Sequence, residues 1–156
     1  MSTRCNLIVE DDHNRIQLYR HCDGYPDGPS GVLATLREAI PYAWPNPRFE
    51  AADFAAAIVR AWKVGGGNIY IDGSPKDWEM IHGDTEWVYL IGPKKPGKDT
   101  KGLRRILQGP PMVEIYDWHR YWFDKADPNK VKPKPVLRVG LFQAKKAGLE
   151  WEDKAA

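Results

Sequence analysis

Apolar residues alternate with polar ones at the start of the chain and then recur at helical spacing. Asn6-Leu7-Ile8-Val9-Glu10 and Arg15-Ile16-Gln17-Leu18-Tyr19-Arg20 flank the polar run Asp11-Asp12-His13-Asn14. That loop length suits a β-hairpin. Strand side chains point to alternate faces, so Ile16 and Leu18 share one face and Gln17, Tyr19 and His21 the other. After Pro26-Asp27-Gly28-Pro29-Ser30, the residues Val32, Leu33, Leu36, Ala39 and Ile40 recur at helical spacing. They predict a helix over about 31–40, with Ser30 as its N-cap and Pro41 as its stop. Phe54, Ile58, Ala61 and Trp62 follow at i, i+4, i+7 and i+8 and predict a second helix, ended by Gly65-Gly66-Gly67.

Three strand-like runs come next: Asn68 to Asp72, Glu86 to Ile91 and Met112 to Trp118. The middle run is apolar on both faces, as a central strand is. Trp78 to His82 can pair with 86–91 across Gly83-Asp84, and Lys101 to Gln108 reads as a short helix. Beyond a Lys/Pro segment (Lys132-Pro133-Lys134-Pro135), Val136 to Phe142 is a last strand or docking segment. Hairpins with helices inserted between them predict an α+β domain, a mainly antiparallel sheet with two to three helices on one face. Residues 1–150 are expected to form this single domain and 151–156 a charged, frayed tail.

Composition narrows the function classes. The chain has 156 residues, 23 basic and 21 acidic side chains and a net charge of +2. That near balance argues against sequence-specific nucleic-acid binding driven by a global field. The apolar runs fall short of the ~20 residues of a membrane helix, and the N-terminus lacks a signal-peptide core. The expectation is a cytoplasmic protein with no membrane partner. The 2 cysteines, Cys5 and Cys22, form neither a Cys-x-x-Cys motif nor a disulfide framework. No metal or cofactor is implied. The 7 Trp and 7 Tyr exceed ordinary core filling and favour a binding role.

The candidate chemistry is densest in Tyr19-Arg20-His21-Cys22-Asp23-Gly24-Tyr25-Pro26. If the strand persists, Tyr19, His21 and Asp23 share a face, where Asp23 can orient the His21 imidazole. Arg20 supplies a guanidinium for a phosphate or carboxylate. The competing reading makes Asp23-Gly24-Tyr25-Pro26 simply a well-formed turn. His82-Gly83-Asp84-Thr85-Glu86 is a second polar cluster, readable as a hairpin turn or as the source of a second histidine. Lys101, Arg104, Arg105 and Gln108 fall on one face of the short helix, either a solvated surface or a phosphate-closing element. Tyr116 to Phe123 is the densest aromatic run, from which Trp118 can stack on a base, with Arg120 adding a guanidinium plane.

The opening Ser2-Thr3-Arg4-Cys5-Asn6, with Tyr19-Arg20-His21 and Asp23-Gly24-Tyr25-Pro26, resembles a family of small uncharacterised proteins of bacteriophages, prophages and related bacteria. The family pattern is "STR-x-N-I" plus "Y-x-H-x-DGYP". The resemblance covers roughly the first 28 residues, with an echo at Gly83 to Tyr89. A common variant of the family has Trp where this chain has Cys22. The resemblance implies a phage-type protein in the host bacterial cytoplasm and a place for the site, not a mechanism.

These readings converge on a protein that sequesters an anionic, nucleotide-like small molecule, in the manner of a counter-defence sponge for a host immune signal. Its expected ligand-binding residues are Tyr19, Arg20, His21, Asp23, Tyr25, Lys101, Arg104, Arg105, Trp118 and Arg120. A small chain that builds pockets between subunits would be a homo-oligomer. The alternative is a metal-independent hydrolase or phosphodiesterase with His21, oriented by Asp23, and His82 as acid and base. A further alternative is an inhibitor that binds a host protein through the aromatic run and the acidic Glu10-Asp11-Asp12 turn.

Overall fold

A computed structural model of the chain describes residues 3–45, 49–73, 84–93, 111–118 and 134–141. Its core is a six-stranded sheet in the order β3-β2-β1-β4-β5-β6. The strands are β1 (Cys5–Glu10), β2 (Arg15–Arg20), β3 (Ile69–Ile71), β4 (Trp87–Pro93), β5 (Pro111–Asp117) and β6 (Leu137–Gly140). Between β2 and β3 lie helix α1 (Val32–Ala39), a 3₁₀ turn (Ile40–Tyr42) and helix α2 (Ala51–Val64). Four of the strand pairs are antiparallel, and β1 with β4 is parallel. The described residues therefore form the expected α+β arrangement, a mainly antiparallel sheet with two helices on one face.

The alternation along each strand decides which face is covered. On the helix side lie Leu7, Val9, Leu18, Tyr89, Ile91, Val113, Ile115 and Val139, packed with Val32, Leu33, Leu36, Phe54, Ile58 and Trp62 from the two helices. A smaller apolar cluster of Ile8, Val88, Tyr116 and Trp118 occupies the opposite face. β4, apolar on both faces, is central as its composition requires, flanked by β1 and β5.

The helix boundaries follow local chemistry, with one correction. Ser30 is not the N-cap of α1: Gly31 is, and no side chain caps the helix. The first helical N–H groups are met instead by loop carbonyls, Val32 N–H donating to Tyr25 O at 2.7 Å and Leu33 N–H to Pro26 O at 3.3 Å. The Ser30 hydroxyl is directed to Asp23 Oδ2, 3.2 Å away. Pro41 lies within the 3₁₀ turn after α1. Gly66, at φ 78°, takes the left-handed position just past α2, a conformation that glycine adopts without a Cβ penalty.

The expected strand Trp78 to His82, the helix 101–108 and the tail 151–156 lie outside the described residues. Among the described residues the last strand is β6, within the expected 136–142 segment, whose Phe142 lies outside them.

Candidate functional site

The sheet face away from the helices changes character across its width. Register places Tyr70, Tyr19, Asn6, Val88 and Tyr116 side by side, and Gln17, Ile8, Leu90 and Glu114 in the next row. On β4 and β5, and at Ile8 of β1, this face is apolar, with Val88, Tyr116 and Trp118. From Asn6 of β1 across β2 to β3 it is polar, although Asn6 and Gln17 are fully buried and Thr85 is nearly so.

Asp72, directly after β3, organises that polar half. Its Oδ2 accepts from Gln17 Nε2 at 2.9 Å and from Asn6 Nδ2 at 3.3 Å. Asn6 Nδ2 also donates to Leu18 O at 3.2 Å, and the Thr85 hydroxyl donates to Asn6 Oδ1. Burying amides and hydroxyls is tolerable because they bond to one another, and hydrogen bonds of this kind fix their members' rotamers.

Next to this floor stands a second group. Tyr19 Oη donates to Asp84 Oδ2 at 3.1 Å and lies 3.4 Å from His21 Nδ1. Arg4 Nε is 2.9 Å from the same Asp84 oxygen. The Tyr19 and Tyr70 rings are 5.1 Å apart, tilted by 39°, and Tyr70 is 43% exposed. Burial pushes the Tyr19 phenol up to about 12, with the Asp84 charge and hydrogen bond adding to the effect. The Tyr70 phenol is also raised, by burial and then by Asp72 and Asp84. Both phenols therefore stay protonated at neutral pH.

Arg20 is on the other side of the sheet. Its Nε donates to Cys22 O at 2.9 Å and its Nη1 to Thr35 Oγ1 at 3.2 Å. The guanidinium stacks 4.2 Å above the Trp62 ring, and burial lowers its pKa. Tyr19 and His21 thus lie opposite Arg20, as strand alternation requires.

Asp23 and His21 are not joined: Asp23 accepts from Ser30, and the hydrogen-bond partner of His21 is Tyr19. Tyr25 is 49% exposed on the loop before α1. Trp118 is buried on the polar site's side of the sheet but within the apolar cluster. His82, Lys101, Arg104, Arg105 and Arg120 lie outside the described residues. Gly24 belongs to the frame of the site. A Cβ there would sit 2.6 Å from Thr3 O, and its carbonyl accepts from the buried Tyr89 hydroxyl at 2.6 Å.

Gln17, Tyr70 and Asp72 carry no motif and enter only with the sheet; Arg4 and Asn6 stand in the Ser2-Thr3-Arg4-Cys5-Asn6 run and Asp84 in the second polar cluster, but none of the three is among the expected ligand-binding residues. The signal the sequence does carry is polar residues at interior strand positions, Asn6 beside Leu7 and Gln17 between Ile16 and Leu18. Among the described residues there is no group of three or more His, Cys, Asp or Glu side chains arranged to hold a metal ion. No described helix is long and apolar enough to cross a membrane. No protein-family model, curated protein or solved structure matches the chain.

Proposed function

We propose that this protein binds a nucleotide-like small molecule at the polar half of the sheet face away from the helices and holds it without turning it over. The observation that carries the reading is the buried Asn6–Gln17–Asp72 network beside the Tyr19 and Tyr70 rings. Directly beside it the same face is filled with Ile8, Val88, Tyr116 and Trp118. A purely structural face would be served as well there by apolar side chains, which carry no desolvation cost. The half-buried Asp72 carboxylate supplies an acceptor for a ribose hydroxyl or an exocyclic amine, the buried Asn6 and Gln17 amides hold it in place, and the exposed Tyr70 ring supplies a stacking surface.

The nucleoside moiety is the part this face suits. Among the described residues, Asp72 and Asp84 outnumber Arg4 there, a setting that suits the hydroxyl and amine donors of the nucleoside better than direct contact with its phosphate. Sequestration is favoured over hydrolysis because the His21–Asp23 pair that acid–base chemistry would use is not formed. In a phage-type chain, as the resemblance of the first 28 residues implies, such binding would withdraw a nucleotide signal in the host cytoplasm.

Native mass spectrometry of the full chain with cyclic di- and trinucleotides and ADP-ribose tests the reading. The expected result is a stoichiometric adduct whose released ligand has unchanged mass. A converted mass would favour the hydrolase alternative, and a bare protein across the panel would contradict nucleotide binding. The same spectra report whether the protein is a homo-oligomer.

A further inference from the structure

The order of donors and acceptors around Tyr19 fixes the state of His21. A phenol has one proton to donate, and a carboxylate can only accept. Tyr19 Oη donates to Asp84 Oδ2 at 3.1 Å, and Arg4 Nε lies 2.9 Å from that oxygen, so the carboxylate is the charged end of the chain. At the 3.4 Å contact between Tyr19 Oη and His21 Nδ1, the oxygen must then accept and the nitrogen must donate.

We infer that, whenever the His21 ring is neutral, Asp84 and Tyr19 hold it as the Nδ1–H tautomer, leaving Nε2 as a hydrogen-bond acceptor for an O–H or N–H group of the ligand. Tyr19, Asp84 and Arg4 are positioning residues in this arrangement, and His21 is the group that meets the ligand. The Tyr19 phenol, pushed up to about 12, keeps its proton for Asp84 throughout the neutral range. A hydrogen bond at one ring nitrogen that sets the role of the other is a general way of tuning imidazole. The consequence is chemical selectivity. A neutral imidazole of this form offers nothing to a phosphate oxygen at Nε2, whereas a ribose hydroxyl or an exocyclic amine donates to it directly. This deepens the proposed nucleotide binding and rests on it for the identity of the ligand. The tautomer itself rests only on the geometry.

The test is the ¹⁵N spectrum of the histidine side chains in the ligand-free full chain, recorded at about pH 8.5, above the ordinary imidazole range. His21 is assigned by the signals lost in His21→Gln. The expected pattern is a protonated, pyrrole-type Nδ1 and an unprotonated, pyridine-type Nε2. In Asp84→Ala the Tyr19 hydroxyl is released to donate to Nδ1, and the pattern should reverse to Nε2–H. Tyr19→Phe, which keeps the ring against Tyr70, should reverse it too. An Nε2–H tautomer in the unmodified protein, or an Nδ1–H pattern unchanged in both variants, would overturn the inference. Added adenosine should then move the wild-type Nε2 signal upfield as it accepts a hydrogen bond. Binding of adenosine with Nε2 unmoved would overturn the ligand-reading role. Failure of adenosine to bind would count against nucleotide binding, and the ligand-free spectra would still decide the tautomer.

Discussion

The Asp11 carboxylate, at the turn between β1 and β2, accepts the backbone N–H of Ala51 at 2.8 Å across 40 residues of sequence. Ala51 opens α2, whose N-cap Glu50 makes no side-chain cap bond. The hairpin turn therefore caps the helix from outside. The other Asp11 oxygen accepts from the His13 and Asn14 amides, each at 2.7 Å. An acidic turn that looks available to a protein partner is instead tied, at its central residue, into the frame that sets α2 against the sheet.

Asp11→Ala should lower stability by about 1–2 kcal/mol, the range of a lost helix cap, and denaturant unfolding measures it. Burial by itself would raise the Asp11 pKa, but the Ala51, His13 and Asn14 amides and nearby His13 together outweigh it and leave the carboxyl below its ordinary value. A carboxyl whose folded pKa is depressed stabilises the fold above its unfolded pKa, about 4. That contribution is lost as pH falls through the folded value. The difference between wild type and Asp11→Ala should accordingly be constant at neutral pH and shrink in acid.

Gly24 is required by a close approach. A Cβ at this position would lie 2.6 Å from Thr3 O and 3.0 Å from Arg4 C, both backbone atoms that cannot swing aside. Gly24→Ala should therefore destabilise by more than Tyr89→Phe. The latter deletes the buried hydroxyl that donates to Gly24 O and should cost about 1–2 kcal/mol. Thermal unfolding of the two variants checks the ranking. Equal costs would mean that the loop moves away from β1 without penalty.

Arg20 should behave as a core residue. Arg20→Ala removes the stacking on Trp62 and leaves Thr35 Oγ1 and Cys22 O without this donor. A loss of about 3–5 kcal/mol is expected from the sum of a desolvated cation–π contact and two charge-assisted hydrogen bonds. Arg20→Lys should recover only part of it, since an ammonium lacks the planar fork. Nucleotide affinity, measured at a temperature where the variant is folded, should change little. A large loss of affinity at unchanged stability would return Arg20 to the ligand.

The frame of this fold is legible in the sequence where local chemistry decides it. Alternation in Ile16-Gln17-Leu18-Tyr19 gives the two faces of β2, and the glycines after Val64 end α2 where the periodicity stops. The site is legible only in part. Tyr19 and His21 stand on its face because alternation puts them there. Asp72 and Tyr70 reach it because β3 pairs with β2 across both helices, and no short-range signal encodes that pairing. The parallel contact of β1 with β4 brings Thr85 to Asn6, 79 positions away, for the same reason. The expected His21–Asp23 pair fails because the chain turns after Arg20. Ser30 then takes Asp23, and the loop carbonyls of Tyr25 and Pro26 do the capping expected of Ser30.

Whether a nucleotide-like ligand sits at the polar half of the sheet face away from the helices is tested most directly by amide ¹H–¹⁵N spectra of the full chain, titrated with ADP-ribose and a cyclic dinucleotide. The largest shifts should fall on the backbone amides of Tyr19, Tyr70 and Asp72 and the side-chain amides of Asn6 and Gln17. No shifts with either ligand, or shifts confined to the helix side around Tyr42 and Trp44, would contradict binding on that face.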